Sequence, residues 1–230
     1  MKFWRKWHKW AGLILGVQVL LWISGGVVMS VIPLELVRGN HLIERQQGAL
    51  SEQPQSVSLD FSRWRAWQWV QRPDQLALQA SDFEGNTHFL HPGTGQPLPM
   101  ITEEQAKEGA QQQYLGQGAV KSVTLLEQLP GEVRGLQGPL YRVDFDDWIN
   151  TSFYLQPYSA GVLRVRSDLW RIFDFFWMLH ILDFEDRTDF NNPLLISLAI
   201  AAWLFTLSGF ILLYHSLVKP NWRKLRHRVR

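Results

Sequence analysis

The residues best placed to do chemistry in this chain are histidines, and two of them sit at matched depths. His8 comes just before a run of 25 residues with no charge, Trp10 to Leu34, and His215 lies near the end of a second such run, Asn191 to Val218. If the two runs form an antiparallel pair of helices, both imidazoles come to the same end of the pair. Two neutral imidazoles facing each other from neighbouring helices are what axial ligation of a b-type haem requires, and the iron then needs no cysteine. Gly12 and Gly16 follow His8 on nearly the same helix face, where their missing side chains would leave room for a porphyrin plane. A second account stands beside this one. A histidine among Lys and Trp at a helix end serves as a polar anchor, and Gly12-Leu-Ile-Leu-Gly16 is a GxxxG face for close helix packing. At the opposite end His41 follows the first run and His180 precedes the second, so a second histidine pair is geometrically conceivable.

Other chemistries find less support. The chain has no cysteine, which excludes disulfides, thiolate zinc sites, Cys-ligated iron–sulfur clusters and covalently attached haem. His88 and His91 look like a metal pair, but on a strand residues three apart point to opposite faces. Asp144, Asp146 and Asp147 could hold a hard cation, or simply mark a solvated hairpin end. Asp183, Glu185, Asp186 and Asp189 crowd the approach to the second run, where they either attract a cation or keep a turn wet. There is no Gly-x-Ser-x-Gly elbow, no His-Glu-x-x-His helix and no phosphate-binding glycine loop, so neither a hydrolase nor a nucleotide-dependent enzyme has a candidate site.

The elements that must position these histidines follow from charge. All 21 acidic residues lie between Glu35 and Asp189. Outside the two charge-free runs the ends carry only basic residues, Lys2, Arg5, Lys6 and Lys9 before the first and six Lys/Arg from Lys219 to Arg230 after the second. The middle holds the other 13 Lys/Arg against 21 Asp/Glu, a charge of −8 that the net +2 conceals. Each run exceeds the roughly 20 apolar residues needed to cross a bilayer. Basic flanks stay on the cytoplasmic side, so both termini are expected in the cytoplasm and the middle outside it. Trp4, Trp7, Trp10 and Trp222 sit where interfacial aromatic belts form. A cleavable signal has an apolar stretch of roughly 7 to 15 residues ending in a small-x-small site, so an uncleaved anchor is expected here. The basic tails are accounted for by membrane lipid, and no nucleic-acid partner is expected.

Residues 1–9 thus read as a basic tail, 10–36 as transmembrane helix 1, 37–166 as an exported domain, 192–218 as transmembrane helix 2 and 219–230 as a second basic tail. Pro33 should loosen the end of the first helix, and Gly39-Asn40 should stop it. The exported domain is expected to hold a repeated α+β unit, one copy at about 56–99 and the other at 102–166. Phe89-Leu-His-Pro-Gly-Thr-Gly-Gln-Pro-Leu98 parallels Tyr154-Leu-Gln-Pro-Tyr-Ser-Ala-Gly-Val-Leu163, each an aromatic-Leu-polar-Pro step into a small-residue turn. Thr102-Glu-Glu-Gln105 is a capping box opening a helix to about Tyr114, with strands at Val120–Leu126 and Leu140–Phe145. Phe61 to Val70 reads as a Trp-rich amphipathic helix. Residues 167–185 read as an amphipathic interfacial helix presenting Phe173, Trp177, His180 and Phe184 on one face.

In this order, Trp7-His-Lys-Trp-Ala-Gly-Leu-Ile-Leu-Gly16 with Ser24-Gly25, the Thr102-to-Val165 unit, and Leu179-His180 ahead of Leu207-Ser-Gly209 resemble the PepSY-associated transmembrane family of bacterial inner-membrane proteins. The resemblance implies a membrane α+β fold in which two spans flank an exported, periplasmic domain of two PepSY-like helix-plus-antiparallel-strand units. Larger members resemble ferric-siderophore reductases that pass electrons through haem b, and this chain departs from them in having two spans. The resemblance implies either a haem-b-carrying electron-transfer or ferric-reductase-associated component, at most a component of a haem-dependent reductase, or a non-catalytic anchored module that binds a peptide, peptidase or partner subunit. With only two helices around a porphyrin, a homodimer or a larger membrane partner is expected, and a ferric or peptide ligand outside.

Overall fold

The computed structural model of the protein describes residues 2–44 and 60–218. The sequence-expected tail 219–230, Trp222 and the start of the first repeat at 56–59 lie outside the described residues. The chain divides into a helical unit, Met1–Ile32 with Phe173–Arg230, and a mixed unit, Pro33–Ile172.

Two long apolar helices dominate the helical unit, α1 (Lys2–Val31) and, last in chain order of five, α5 (Pro193–Leu213). Stretches Arg5–Val31 and Pro193–Leu217 have mean hydropathies of 2.0 and 2.2, and at about 1.5 Å per residue each outreaches the ~30 Å hydrocarbon core. Within each stretch a single residue is buried, Gly25 in the first and Ser208 in the second. A core helix of a soluble protein would be mostly buried, whereas here Leu13, Ile14, Val17, Ile200, Trp203 and Phe210 are exposed. Length, apolarity and an uncovered apolar surface together mark a membrane protein. α5 opens on Asn192, whose Oδ1 accepts from the Leu195 N–H at 2.8 Å, with Pro193 as first helical residue. It ends in a π turn, Tyr214–Val218, that carries His215.

α1 ends at Val31, ahead of Pro33 (ψ 130°), which begins the short helix α2 (Leu34–Val37), so Gly39, at φ +70°, follows α2 and does not stop the first long helix as expected. A Cβ on Gly39 would run into Val165, so both the dihedral and the contact demand glycine there.

The mixed unit holds two antiparallel sheets. β1 (Ala66–Gln71), β2 (Leu76–Ser81) and β3 (Thr87–Leu90) form a meander. After α3 (Glu103–Gln113), strands β4 (Ala119–Leu126), β5 (Leu140–Asp146), β6 (Ser152–Leu155) and β7 (Val162–Arg166) form the second sheet in sequence order. The capping box of α3 is complete: Thr102 Oγ1 accepts from the Gln105 N–H at 3.2 Å, and Gln105 Oε1 accepts from the Thr102 N–H at 2.9 Å. Ala106 and Ala110 of α3 pack on Val143, Phe145, Phe153, Leu155 and Val165, one face of the second sheet. A Cβ on Gly109 would collide with that of Ala160, and Gln113 Nε2 donates to both Gly109 O (2.8 Å) and Ala160 O (3.0 Å). Arg72, 2% exposed, joins the sheets by donating to Asp74, to Pro99 O at 3.0 Å and to Tyr158 O at 2.8 Å.

The repeat is present in the turns. His91 N–H donates to Gln96 O and Gly95 N–H to His91 O, both at 2.8 Å, while Gln156 N–H donates to Gly161 O (2.9 Å) and Ala160 N–H to Gln156 O (3.0 Å). Gly95 and Ala160 occupy the matching left-handed position, at φ 69° and 55°. The helix expected over Phe61–Val70 is not formed. A 3-10 turn, Phe61–Arg63, leads instead into β1. Trp, Gln and Val alternate well on a pleated surface: Trp69 packs on Leu78, Ala80 and Leu90, and Gln68 Nε2 bonds Gln79 Oε1 across the strands at 3.0 Å.

The helix expected over 167–185 is shorter, α4 (Asp168–Ile181). Leu182 takes φ +55°, so Phe184 leaves the Phe173–Trp177–His180 face and is 56% exposed. Asp183 then accepts backbone N–H groups of Glu185, Thr188 and Asp189, at 3.2, 2.9 and 3.0 Å. The Asp189 N–H bond is the chief reason its carboxyl is held below the ordinary range. Asn192 Nδ2 donates to Ile181 O (2.9 Å) and Asp189 O (3.0 Å), and Arg187 pairs with the buried Asp174. The acidic segment before the second span is therefore a built connector.

Candidate site between the two long helices

Near one end of the α1–α5 pair, His8 and His215 line a single cavity of about 460 Å³, together with Arg5, Lys9, Gly209 and Leu213. That volume falls within the roughly 300–1,000 Å³ of ordinary small-molecule sites. His8 is held on two sides. Its ring stacks on Phe205 at 4.4 Å and 10°, and its Nδ1 lies 2.7 Å from Ser208 Oγ.

Ser208 Oγ lies 2.7 Å from both His8 Nδ1 and Phe205 O. With its one hydrogen given to that carbonyl it accepts from His8 Nδ1, and a neutral His8 in that arrangement has its Nε2 lone pair available. Nε2 lies on the side of Gly209, where a Cβ would stand 3.9 Å from it and 3.4 Å from Cε1. The absent side chain leaves that edge of the ring open to the cavity. His215 Nδ1 is buried and has no hydrogen-bond partner among the described residues. In a bilayer a buried polar atom without a partner is costly. One free imidazole lone pair, one orphaned imidazole nitrogen, two cations and apolar walls suit a flat metal complex with anionic substituents.

The sequence-expected residues are distributed as follows. Gly12 is filled over by the Phe205 ring, which a Cβ there would approach to 3.1 Å, and Gly16 faces open space. Gly12 thus makes room for the ring that stacks on His8. His180 lies against α1: a Cβ on Gly25 would be 3.9 Å from its Nδ1, and Trp22 sits 6.4 Å away, centroid to centroid. Its Nδ1 is also buried without a partner. His41, in the mixed unit, is exposed on the 3-10 turn Asn40–Leu42.

His88 and His91 diverge as the strand period requires. His88 Nε2 bonds Asp82 Oδ2 at 3.0 Å, while His91 Nδ1 accepts from the Gly93 N–H at 3.2 Å in the turn. The three aspartates at the β5–β6 hairpin also separate: Asp144 bonds Arg142 and Ser152, and Asp147 accepts from Tyr114 Oη at 2.7 Å and Thr151 N–H at 2.8 Å. Among the described residues no group of three or more His, Asp or Glu is disposed to hold a metal ion.

Two features escape a reading of the sequence. Ser208 belongs to a small-residue stretch of α5, and only the fold reveals that it is seated beneath His8. The second is a polar cavity on the four-stranded sheet, built from Arg142, Asp144 and Ser152 with Glu132 and Arg171. The period-two alternation of β5 is its one sequence signal, since every second residue faces away from the apolar core. No protein-family model, no curated protein and no solved structure matches this chain.

Proposed function

We propose that this is a two-span inner-membrane protein in which His8 and His215 hold a b-type haem for electron transfer toward the exported side. The observation that carries the reading is that His8, hydrogen-bonded to Ser208, and His215 line one cavity. The positive tails support cytoplasmic termini and an exported middle. The likeness to PepSY-associated transmembrane proteins agrees with this reading, as does the repeated hairpin turn.

When bound, haem supplies one-electron chemistry, and the chain supplies position and surroundings. His8 and His215 would be the residues that hold it. Ser208 accepts from His8 Nδ1 and fixes the ring plane, while Phe205 blocks its rotation. Arg5 and Lys9 match the charge of two propionates, and Leu212 and Leu213 keep water from the wall. Ferric iron is the acceptor class that the same resemblance implies, with a homodimer or a larger membrane subunit completing the sheath.

The test is direct. Protein purified in neutral detergent after expression with adequate haem should show a Soret band, and the His8→Ala/His215→Ala double variant should lose it. Absence of the band in the natural protein would overturn the reading in favour of a cofactor-free anchored binding module, and undiminished haem in the double variant would overturn His8 and His215 as the residues that hold it.

A further inference from the structure

The second sheet has two unlike faces. The row Val123, Val143, Phe153, Val165 runs across all four strands and packs in the core with α3. Its neighbours in the same strands form two rows on the opposite face: Ser122, Asp144, Ser152, Arg166 and Thr124, Arg142, Tyr154, Arg164. Ser122, Arg142, Asp144 and Ser152 of this face, together with Glu132 from the 3-10 turn Gly131–Val133 and Arg171 from the first turn of α4, line a cavity of about 440 Å³.

Three acids and three bases line it, Glu132, Asp144 and Asp168 against Lys121, Arg142 and Arg171. The acids are all engaged. Glu132 accepts from Arg171 Nε at 3.1 Å and from Tyr154 Oη. Asp144 accepts from Arg142 Nε (2.8 Å), Ser152 Oγ (2.6 Å) and Ser122 Oγ (3.2 Å). Asp168 accepts from Arg171 Nη1 (3.0 Å) and Asn150 Nδ2 (2.6 Å). Arg171 is saturated in turn, its Nη2 reaching Ser152 Oγ at 3.2 Å. Two cationic groups are left over. Arg142 uses only Nε, so its Nη1 and Nη2 have no partner among the described residues, and neither has the Lys121 ammonium.

We infer that this cavity binds a small monocarboxylate with polar substituents, its carboxylate on the Arg142 Nη pair and its charge matched by Lys121. A guanidinium edge with two parallel N–H donors suits a planar carboxylate, and a polar lining selects a ligand that hydrogen-bonds. The wall is neutral overall, so one negative charge is accommodated, while a doubly charged phosphate meets three fixed carboxylates. The site stands on the mixed unit alone and is independent of the helical cavity.

The test uses the full chain in neutral detergent, titrated with N-acetylglycine and with its uncharged amide and followed by ligand-observed saturation-transfer NMR, with inorganic phosphate added as a competitor against the N-acetylglycine signal. Saturable binding of N-acetylglycine is expected, with none of the amide and phosphate weaker by about tenfold or more. Arg142→Gln should weaken N-acetylglycine by about tenfold and Lys121→Gln by severalfold, with unchanged near-ultraviolet circular dichroism. Should Arg142→Gln fail to fold, Lys121→Gln decides, because that ammonium makes no hydrogen bond or ion pair among the described residues. The proposal is overturned by no saturation up to about 20 mM, by equal binding of amide or phosphate, or by full affinity in a folded Lys121→Gln protein.

Discussion

His8 Nδ1 stands 2.7 Å from Ser208 Oγ, joining residues 200 positions apart in the chain and tying one imidazole of the helical cavity to α5. Replacing Ser208 by Ala should leave α5 and the Phe205 stack intact but remove the hydrogen-bond partner of His8 Nδ1. Outer partners of this kind are worth roughly 10–100-fold in metal affinity. Haem titration followed at the Soret band should therefore show Ser208→Ala weakened by about that factor, and Ser208→Thr, which keeps the hydroxyl, much closer to the natural protein. Equal affinity in Ser208→Ala would show that the hydrogen bond does not serve ligation.

How much of this arrangement is legible in the sequence depends on the range of the interaction that decides each element. The two spans rest on runs of apolar residues, and the α3 cap on four consecutive residues, so both are local and legible. The Phe61–Val70 segment is not, because its spaced tryptophans fit a helix face as well as a strand. Pairing with β2 settles it, and pairing is non-local. His8 and His215 come together on the assumption of antiparallel helices. The placing of Phe205 in the space over Gly12, and of Ser208 under His8, depends on the rotation of α5 about its axis. An evenly apolar helix gives no sequence signal for that rotation.

Asn192 has two duties, capping α5 through Oδ1 and holding the end of α4 through Nδ2. Asn192→Asp keeps the cap and loses the donor, whereas Asn192→Ala loses both. Loss of an N-cap costs about 1 kcal/mol. Thermal unfolding in detergent should rank the natural protein above Asn192→Asp and that above Asn192→Ala. If Asn192→Asp were as stable as the natural protein, the bond to Ile181 O would be shown to contribute nothing.

Gly109 is the contact point between α3 and the β6–β7 turn, where a methyl group would overlap the Cβ of Ala160. Neither side can yield cheaply, because Ala160 is fixed at φ 55° by the turn and α3 is pinned by its capping box. Gly109→Ala should gain helix propensity, up to about 1 kcal/mol, and lose more to overpacking, about 1–3 kcal/mol. Net destabilisation is expected in denaturant melts, and Ala160→Gly in the same chain should restore much of it. Stabilisation by Gly109→Ala alone would show that the helix can lift off the turn.

Tyr114 and Asp147 give the mixed unit its response to pH. Burial first, and then the bond to the Asp147 carboxylate, pushes the Tyr114 phenol from its ordinary 10 up to about 12. A group whose pKa is raised by folding stabilises fully below its unfolded value and ceases to do so as pH rises through its folded one. Tyr114 therefore contributes below pH 10 and loses that contribution between about 10 and 12. Asp147 has the opposite sign. Burial raises its pKa, but the bonds from Thr151 and Tyr114 outweigh burial and hold it below 3.8, so its contribution is present above that value and fades in acid. In Tyr114→Phe, one late-titrating phenol should disappear from the absorbance titration at 295 nm. The fall of stability between pH 10 and 12 should become shallower, and so should the fall in acid, because Asp147 has lost a donor that held its folded pKa down. A Tyr114 that ionised at its ordinary pH in the folded protein would show that the pair is open to water.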